Sequence, residues 1–173
     1  MIKKITDFVE LHLAGPMEKL GRQRHLRAIR DGIVATLPLI IVSSFFMIVA
    51  FPPIPQDWGL YKFLSANATT ILLPYRMTMY IMSLYAAFGI GHSLARSYKL
   101  DALSGGILAT IAFLLTFTPV NIPAEAADAA GVSGFVLPMT YLGGGGMFVC
   151  IITAILAVEI FRLTDKSKFK ITM

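Results

Sequence analysis

The stretch GIVATLPLIIVSSFFMIVAF, residues 32–51, decides the fold. It contains twenty residues without a charged side chain, and Pro52 and Pro53 follow it directly. A helix that crosses about 30 Å of hydrocarbon needs about 20 mostly apolar residues. We therefore expect a membrane-spanning helix at 32–51. Pro38 should kink this helix, which a membrane bundle tolerates because neighbouring groups can satisfy the carbonyl that a proline leaves free.

Three further apolar stretches have the length of a span, at residues 76–96, 102–120 and 146–163. The short connection between the second and third predicts an antiparallel helical hairpin. Residues 121–142 are too polar and too interrupted to span, so they predict either a loop or a short helix over EAADAA, residues 125–130. The predicted fold class is an all-α membrane protein, with about four transmembrane helices plus amphipathic N-terminal helices.

The composition supports a bilayer environment. Hydrophobic residues make up 56% of the chain and charged residues 14%, whereas soluble domains carry about a quarter charged residues. The net charge of +5 does not indicate nucleic-acid binding. The basic residues lie at the ends of apolar runs and do not form one polar face.

The distribution of lysine and arginine predicts the orientation of the chain. With four crossings, thirteen of the fifteen basic residues fall on one side, and only Lys62 and Arg76 fall on the other. Short loops rich in Lys and Arg stay in the cytoplasm. We therefore expect a multi-pass membrane protein with both termini cytoplasmic: a lead at 1–31, a bundle at 32–163 and a tail at 164–173.

The lead is basic and amphipathic, because Ile2, Ile5, Phe8, Val9 and Leu13 recur at helical spacing. Three interpretations stay open. Such a helix can lie on the anionic leaflet, serve only as a topological anchor, or dock a soluble partner.

Few residues indicate chemistry. Arg76 lies at the outer end of the second span, where its stem can reach the headgroups, so it is interpreted as an interface anchor; a role in substrate passage is the alternative. His92 is interpreted as a hydrogen-bonding residue at a helix end, with proton or phosphoryl transfer as the alternative. His12 and His25 have no set of candidate catalytic or ligand residues around them in the sequence. Glu159 is spaced to pair with Arg162 on one helix face.

Helix packing gives the clearest pattern. Small residues at four-residue spacing let membrane helices approach closely, and they predict a packed bundle or an oligomer. The helix-packing candidates are Ser83, Ala87, Gly91 and Ala95 in the second span and Gly146, Cys150 and Ala154 in the fourth. No catalytic residue and no metal-ligand set is identified, no cofactor is expected, and the substrate-binding residues stay unknown.

Three ordered blocks of the chain resemble a known family. They are LGRQRHLRAIRDGIVATLPLIIVSSFFMIVAFPP at 20–53, LYAAFGIGHSLARSYKLDALSGGILATIAFLLT at 84–116 and YLGGGGMFVCIITAILAVEIFR at 141–162. Together they resemble the N-terminal half of membrane component IIC of the bacterial phosphotransferase system, lactose/cellobiose branch. The resemblance implies a sugar permease that takes up a β-linked disaccharide such as cellobiose, chitobiose or lactose.

The resemblance also implies partners. The family works with the soluble components IIA and IIB, and its first half is mainly a dimerisation module, so a homodimer in the lipid bilayer is expected. The sugar pocket, with a histidine and a glutamate, belongs to the family's second half, and neither His92 nor Glu159 matches those positions. Whether the chain is an enzyme therefore stays open. Its shorter length predicts a truncated permease, a split-gene half or a pseudogene product, and a non-transporting membrane scaffold is the alternative function.

Overall fold

The computed structural model describes residues 23–123 and 134–167, together with Gly21 and Gly131. Most of the predicted amphipathic lead, the EAADAA segment at 125–130 and the end of the tail lie outside the described residues. The described helices are α1 Arg24–Val34, α2 Leu37–Ala50, α3 Gly59–Ala66, α4 Ala68–Ile71, α5 Leu73–Met79, α6 Met82–Ser97, α7 Ala102–Leu114 and α8 Met147–Lys166. Two short 3-10 turns, Met139–Tyr141 and Gly144–Gly146, precede α8.

The first predicted span, 32–51, begins inside α1 and continues through α2. The two helices are separated only by Ala35 and Thr36, and Pro38 lies in the first turn of α2. A proline is tolerated there because the first-turn N–H groups have no partner within the helix. At the break, the Ile33 carbonyl accepts hydrogen bonds from the Thr36 hydroxyl at 2.7 Å and from the Thr36 backbone N–H at 3.0 Å.

The second predicted span, 76–96, is not one continuous helix. α5 ends at Met79 and α6 begins at Met82, with Ile81 in a non-helical conformation between them. The backbone N–H of Ser83 donates to the Leu142 carbonyl at 2.8 Å. The break is therefore stabilised by a segment about sixty residues away in sequence, which the apolar pattern of one span cannot reveal.

The third predicted span, 102–120, forms a shorter helix than expected. Asp101 caps α7 by accepting a hydrogen bond from the Ser104 backbone N–H at 2.7 Å. The helix ends at Leu114, and the Thr116 hydroxyl donates to the Phe113 carbonyl at 2.6 Å. Pro119 also disfavours the helical conformation for the residue before it.

A small antiparallel sheet replaces part of the predicted loop at 121–142. β1, Val120–Ile122, pairs with β2, Gly134–Val136, with Val120 opposite Val136 and Ile122 opposite Gly134. Neither strand was expected from the sequence.

Among the described helices, α6 is central and packs against α1, α7 and α8. The buried core around it is built largely from small side chains, including Ala86, Ala87, Ala95, Ala109 and Ala154. Large apolar side chains point outwards instead, and Ile41, Phe45, Leu115 and Phe148 are 64–79% exposed. Small residues inside and large apolar residues outside are typical of helices packed in lipid.

Two helical stretches of the described residues have the length and composition to cross a membrane. They are Arg24–Ala50, which joins α1 and α2, and Gly144–Lys166, which contains α8. The 20 residues of α8 give an axial length of about 30 Å, which matches the hydrocarbon thickness of a bilayer. α7 is apolar but shorter.

Candidate functional site

The contact between α6 and α7 depends on glycine. A methyl group added at Gly91 would lie 2.6 Å from the Gly105 carbonyl oxygen, and one added at Gly105 would lie 3.0 Å from the Gly91 carbonyl oxygen. Ala87 and Ala95, one turn to either side of Gly91, are completely buried. The small residues at four-residue spacing on α6 thus lie on a surface where two helix backbones meet.

The contact between α6 and α8 is closed by hydrogen bonds at the end where both helices begin. The Cys150 thiol donates to the Ser83 carbonyl at 3.2 Å, and the Ser83 hydroxyl donates to the Gly143 carbonyl. Gly146 is buried against the Tyr141 backbone, and Ala154 is completely buried one turn beyond Cys150. All seven predicted helix-packing residues are therefore inside the bundle of this chain.

Arg76 lies in α5, where its side chain is half-buried. It lines an open cavity of about 640 Å³ together with Met79, Tyr80, Thr140 and Gly143. The cavity lies on the side that the charge pattern assigns to the exterior. Among the described residues that line it, Arg76 is the only one with a charged side chain.

A polar cluster joins three segments at the opposite end of the bundle. Oε1 of Glu159 lies 2.9 Å from Nε2 of His25 and accepts a hydrogen bond from the Tyr98 hydroxyl at 2.5 Å. Oε2 of Glu159 accepts from Nη1 of Arg162 at 3.3 Å, and the Arg162 guanidinium lies 4.2 Å from the centre of the Tyr98 ring. Arg24 approaches the same ring at 5.5 Å.

The electrostatics of this polar cluster follow from its geometry. Burial raises the pKa of Tyr98, and its hydrogen bond to the Glu159 carboxylate raises that pKa further, so the hydroxyl stays protonated and donates. The cluster ties α1, the α6–α7 connection and α8 together. The interpretation of His25 as isolated was wrong, because its partner is 134 residues away in sequence. The predicted Glu159–Arg162 pair is present.

His92 lies on α6 beside a different cavity. Its ring stacks on Phe88, with 6.0 Å between ring centres and 26° between ring planes. The helix-end hydrogen bond predicted for His92 is not formed with any residue in the described ranges. His92 and Glu159 belong to separate groups, so the two residues do not form one acid–base site.

These features describe a helix bundle with large apolar side chains on its outside, and the comparisons with known proteins identify its family. The family described as "Phosphotransferase system, EIIC" matches residues 30–173. The chain belongs to the phosphotransferase system EIIC family. The family is a component of membrane transport systems. Lipid is the environment that the exposed apolar side chains of this chain require.

The relatives of this EIIC chain are permeases. The chain is 42% identical to the cellobiose-specific EIIC component of Geobacillus stearothermophilus, over 83% of its own length and 33% of the relative. It is 38% identical to the lichenan permease IIC component of Bacillus subtilis (strain 168), over 94% of its length and 36% of the relative. It therefore spans about a third of the length of these relatives.

A solved structure has the same fold as this chain. It is the crystal structure of the transporter ChbC, the IIC component of the N,N'-diacetylchitobiose-specific phosphotransferase system. The sequences are 34% identical, the TM-score is 0.78, and the match covers 96% of this chain and 39% of ChbC.

Proposed function

We propose that this chain contributes the N-terminal, helix-packing half of a sugar permease of the phosphoenolpyruvate-dependent phosphotransferase system. Its substrate class is a β-linked disaccharide of the cellobiose, chitobiose or lactose type. The observation that carries the proposal is the match over nearly the whole chain to cellobiose and lichenan permeases and to the chitobiose transporter.

The chain crosses the bilayer four times in this proposal, at about residues 32–51, 76–96, 102–120 and 146–163, with both termini cytoplasmic. The distribution of lysine and arginine supports this orientation. The break between α5 and α6 and the short α7 require irregular backbone near the outer surface. Membrane proteins tolerate such backbone where protein buries it, as the hydrogen bonds of Ser83 to Leu142 and Gly143 illustrate.

The small-residue surface of α6 and α8 is the framework of this half. It fixes the helices against each other, so that the outward faces can pair with a second copy and carry the sugar-binding half. Arg76 anchors the outer end of α5 at the headgroups. Soluble components IIA and IIB supply the phosphoryl group, and the residues that bind the sugar belong to the rest of the permease.

Sugar uptake in a strain without other β-disaccharide permeases tests this proposal. Labelled cellobiose and chitobiose are supplied to cells that express this chain together with the whole remainder of an EIIC relative, from the residue at which the match ends, because this chain spans only about a third of that relative. We expect phosphoenolpyruvate-dependent uptake with both parts and none with either part alone. Equal uptake when this chain is omitted would contradict the proposal.

The uptake experiment separates the scaffold alternative, and a sugar titration tests which part of the permease holds the sugar pocket. We expect the purified chain to form a stable dimer and to show no affinity for cellobiose. Micromolar binding by this chain alone would contradict the assignment of the sugar pocket to the other half. A dimer that never supports uptake with any C-terminal half would favour the scaffold.

A further inference from the structure

A groove runs between α1–α2 and α6, formed by two adjoining cavities. One has a volume of about 300 Å³ and lies towards the end of α6. The other has a volume of about 500 Å³ and continues towards the middle of α6. Both are lined by Asp31, Ser93 and Arg96, so they form one continuous depression.

The helix periodicity explains why one end of the groove is basic. Arg24, Arg27 and Asp31 lie at spacings of three and four on α1, and Ser93, Arg96 and Ser97 have similar spacings on α6. The two helices run antiparallel, with Ala28 beside Leu94 and Ala95, and Gly32 beside Ile90. The two polar faces therefore meet at one end, which the charge pattern assigns to the cytoplasm.

The basic end carries a net positive charge. Among the described residues that line it, Asp31 is the only one with a carboxylate, and this carboxylate is paired with the Arg30 guanidinium at 2.7 Å. Arg24, Arg27 and Arg96 form no salt bridge with a carboxylate of the described residues, and the hydroxyl groups of Ser93 and Ser97 lie among them. Guanidinium groups bind phosphate oxygens in a fork geometry, so three of them around one cavity favour a phosphate group.

The other end of the groove is mainly apolar, although Thr36 and His92 also line it, and its length matches the thickness of one leaflet. From Arg96 it extends along α6 past Phe88 to Tyr85, with Leu39 and Ala35 on the facing wall. Eleven residues of helix span about 16 Å, which is about half of a 30 Å hydrocarbon core. An inorganic anion would use only the basic end, whereas a phospholipid would fill both ends.

We propose that this groove binds one anionic phospholipid of the cytoplasmic leaflet. The phosphate lies among Arg24, Arg27 and Arg96, and an acyl chain lies in the apolar trough beside Leu39 and Phe88. Basic depressions between membrane helices on the cytoplasmic side are typical headgroup sites. The site goes beyond the proposed sugar transport, and it rests only on the proposed orientation in the bilayer.

Native mass spectrometry of the purified chain in neutral detergent tests the headgroup. Dioleoyl phosphatidylglycerol is titrated against dioleoyl phosphatidylcholine, for the wild type and for the double variant Arg27→Gln/Arg96→Gln. The matched control, Lys62→Gln/Lys166→Gln, removes the same charge at exposed positions outside the groove. We expect the double variant to weaken phosphatidylglycerol binding by about tenfold or more, since charge-assisted hydrogen bonds are lost.

Two results would overturn the headgroup assignment. One is an equal loss of binding in the control, and the other is equal retention of phosphatidylcholine and phosphatidylglycerol by the wild type. Because Arg27 and Arg96 are exposed, their replacement leaves the core intact. The thermal midpoint of each variant without added lipid verifies this.

The variant Ala35→Phe separates a lipid from a free phosphate. Ala35 is an exposed residue that lines the cavity of about 500 Å³ and not the basic cavity of about 300 Å³, so a phenyl group there would fill part of the trough and leave all three arginines in place. We expect weaker phosphatidylglycerol binding in this variant and no displacement of the lipid by millimolar inorganic phosphate. Unchanged lipid binding in Ala35→Phe, together with displacement by phosphate, would overturn the lipid site in favour of a free-anion site. Neither outcome depends on sugar uptake, so a failure of the lipid-site proposal can be distinguished from a failure of the permease proposal.

Discussion

Gly91 of α6 and Gly105 of α7 face each other across a contact that has no room for a side chain. A methyl group on either residue would come within 2.6–3.0 Å of the other residue's carbonyl oxygen. Since lipid provides no hydrophobic drive for helix association, such close contacts supply the van der Waals attraction that holds a membrane bundle together. The close contact between α6 and α7 thus requires a residue without a side chain at both positions.

The variant Gly91→Ala tests this contact. We expect it to destabilise the bundle by about 1–3 kcal/mol, since overpacking forces the backbones apart despite the better helix propensity of alanine. The measurement is the thermal midpoint in detergent. Gly59→Ala is the matched control, because a methyl group at Gly59 meets no atom within 4 Å. A Gly91→Ala protein as stable as the control variant would contradict the close-packing account.

The polar cluster around Glu159 is expected to hold α1 against α8. A double-mutant cycle with His25→Ala and Glu159→Gln should give a coupling of about 0.5–1 kcal/mol, since both side chains are only partly shielded from water. The same cycle on Arg30 and Asp31, an ion pair whose side chains are 67% and 42% exposed, should give a coupling near zero. Equal coupling energies for the two pairs would show that the polar cluster does not hold α1 against α8.

Asp101 predicts an acid-dependent loss of stability at the start of α7. Its hydrogen bonds from Ser104 hold its pKa below the ordinary value. The stability that this cap contributes is therefore fully present above the unfolded-state pKa of aspartate, about 3.9, and is lost as pH falls through the lower folded-state pKa. Asp101→Asn keeps an acceptor but does not titrate.

The comparison of these two proteins uses chemical unfolding between about pH 6 and about pH 3. We expect the stability advantage of the wild type over Asp101→Asn to shrink as the pH falls. An advantage that is constant over this range would mean that the cap does not lower the folded-state pKa of Asp101.

Cys150 offers a direct measure of the core, because its side chain has no accessible surface. We expect a thiol-reactive maleimide to label it only as the bundle unfolds, so that labelling and thermal unfolding share one midpoint. Ser167→Cys in a Cys150→Ala background is the control, since residue 167 is exposed, and its labelling should be complete before heating. Rapid labelling of Cys150 in the folded chain would contradict its position between α6 and α8.

The polar cluster marks a limit of what sequence can predict. The Glu159–Arg162 pair was predictable because a three-residue spacing fixes both side chains on one helix face, and the structure has this pair at 3.3 Å. The other two partners, His25 and Tyr98, are 134 and 61 residues from Glu159. Only the packing of α1 and α6 against α8 brings them together, and no local pattern encodes that packing.

Backbone breaks mark a second limit. The apolar runs predicted where helices would occur, and Pro38 indicated the irregularity between α1 and α2. The interruption between α5 and α6 has no proline or glycine at Tyr80 and Ile81, and it depends on the Leu142 carbonyl as an acceptor for the Ser83 N–H. The β1–β2 pair likewise depends on contacts formed outside the apolar run, whereas α7 ends within its run, just before Thr116 and Pro119.

The orientation of the chain in the bilayer is the claim on which the permease proposal, the Arg76 anchor and the lipid groove all depend. Substituted-cysteine labelling with a membrane-impermeant maleimide measures it in intact cells, using Lys62→Cys and Lys99→Cys, each in a Cys150→Ala background. The account predicts that residue 62 is labelled from outside and that residue 99 is labelled only after the membrane is permeabilised. Labelling of both residues from the same side would contradict it.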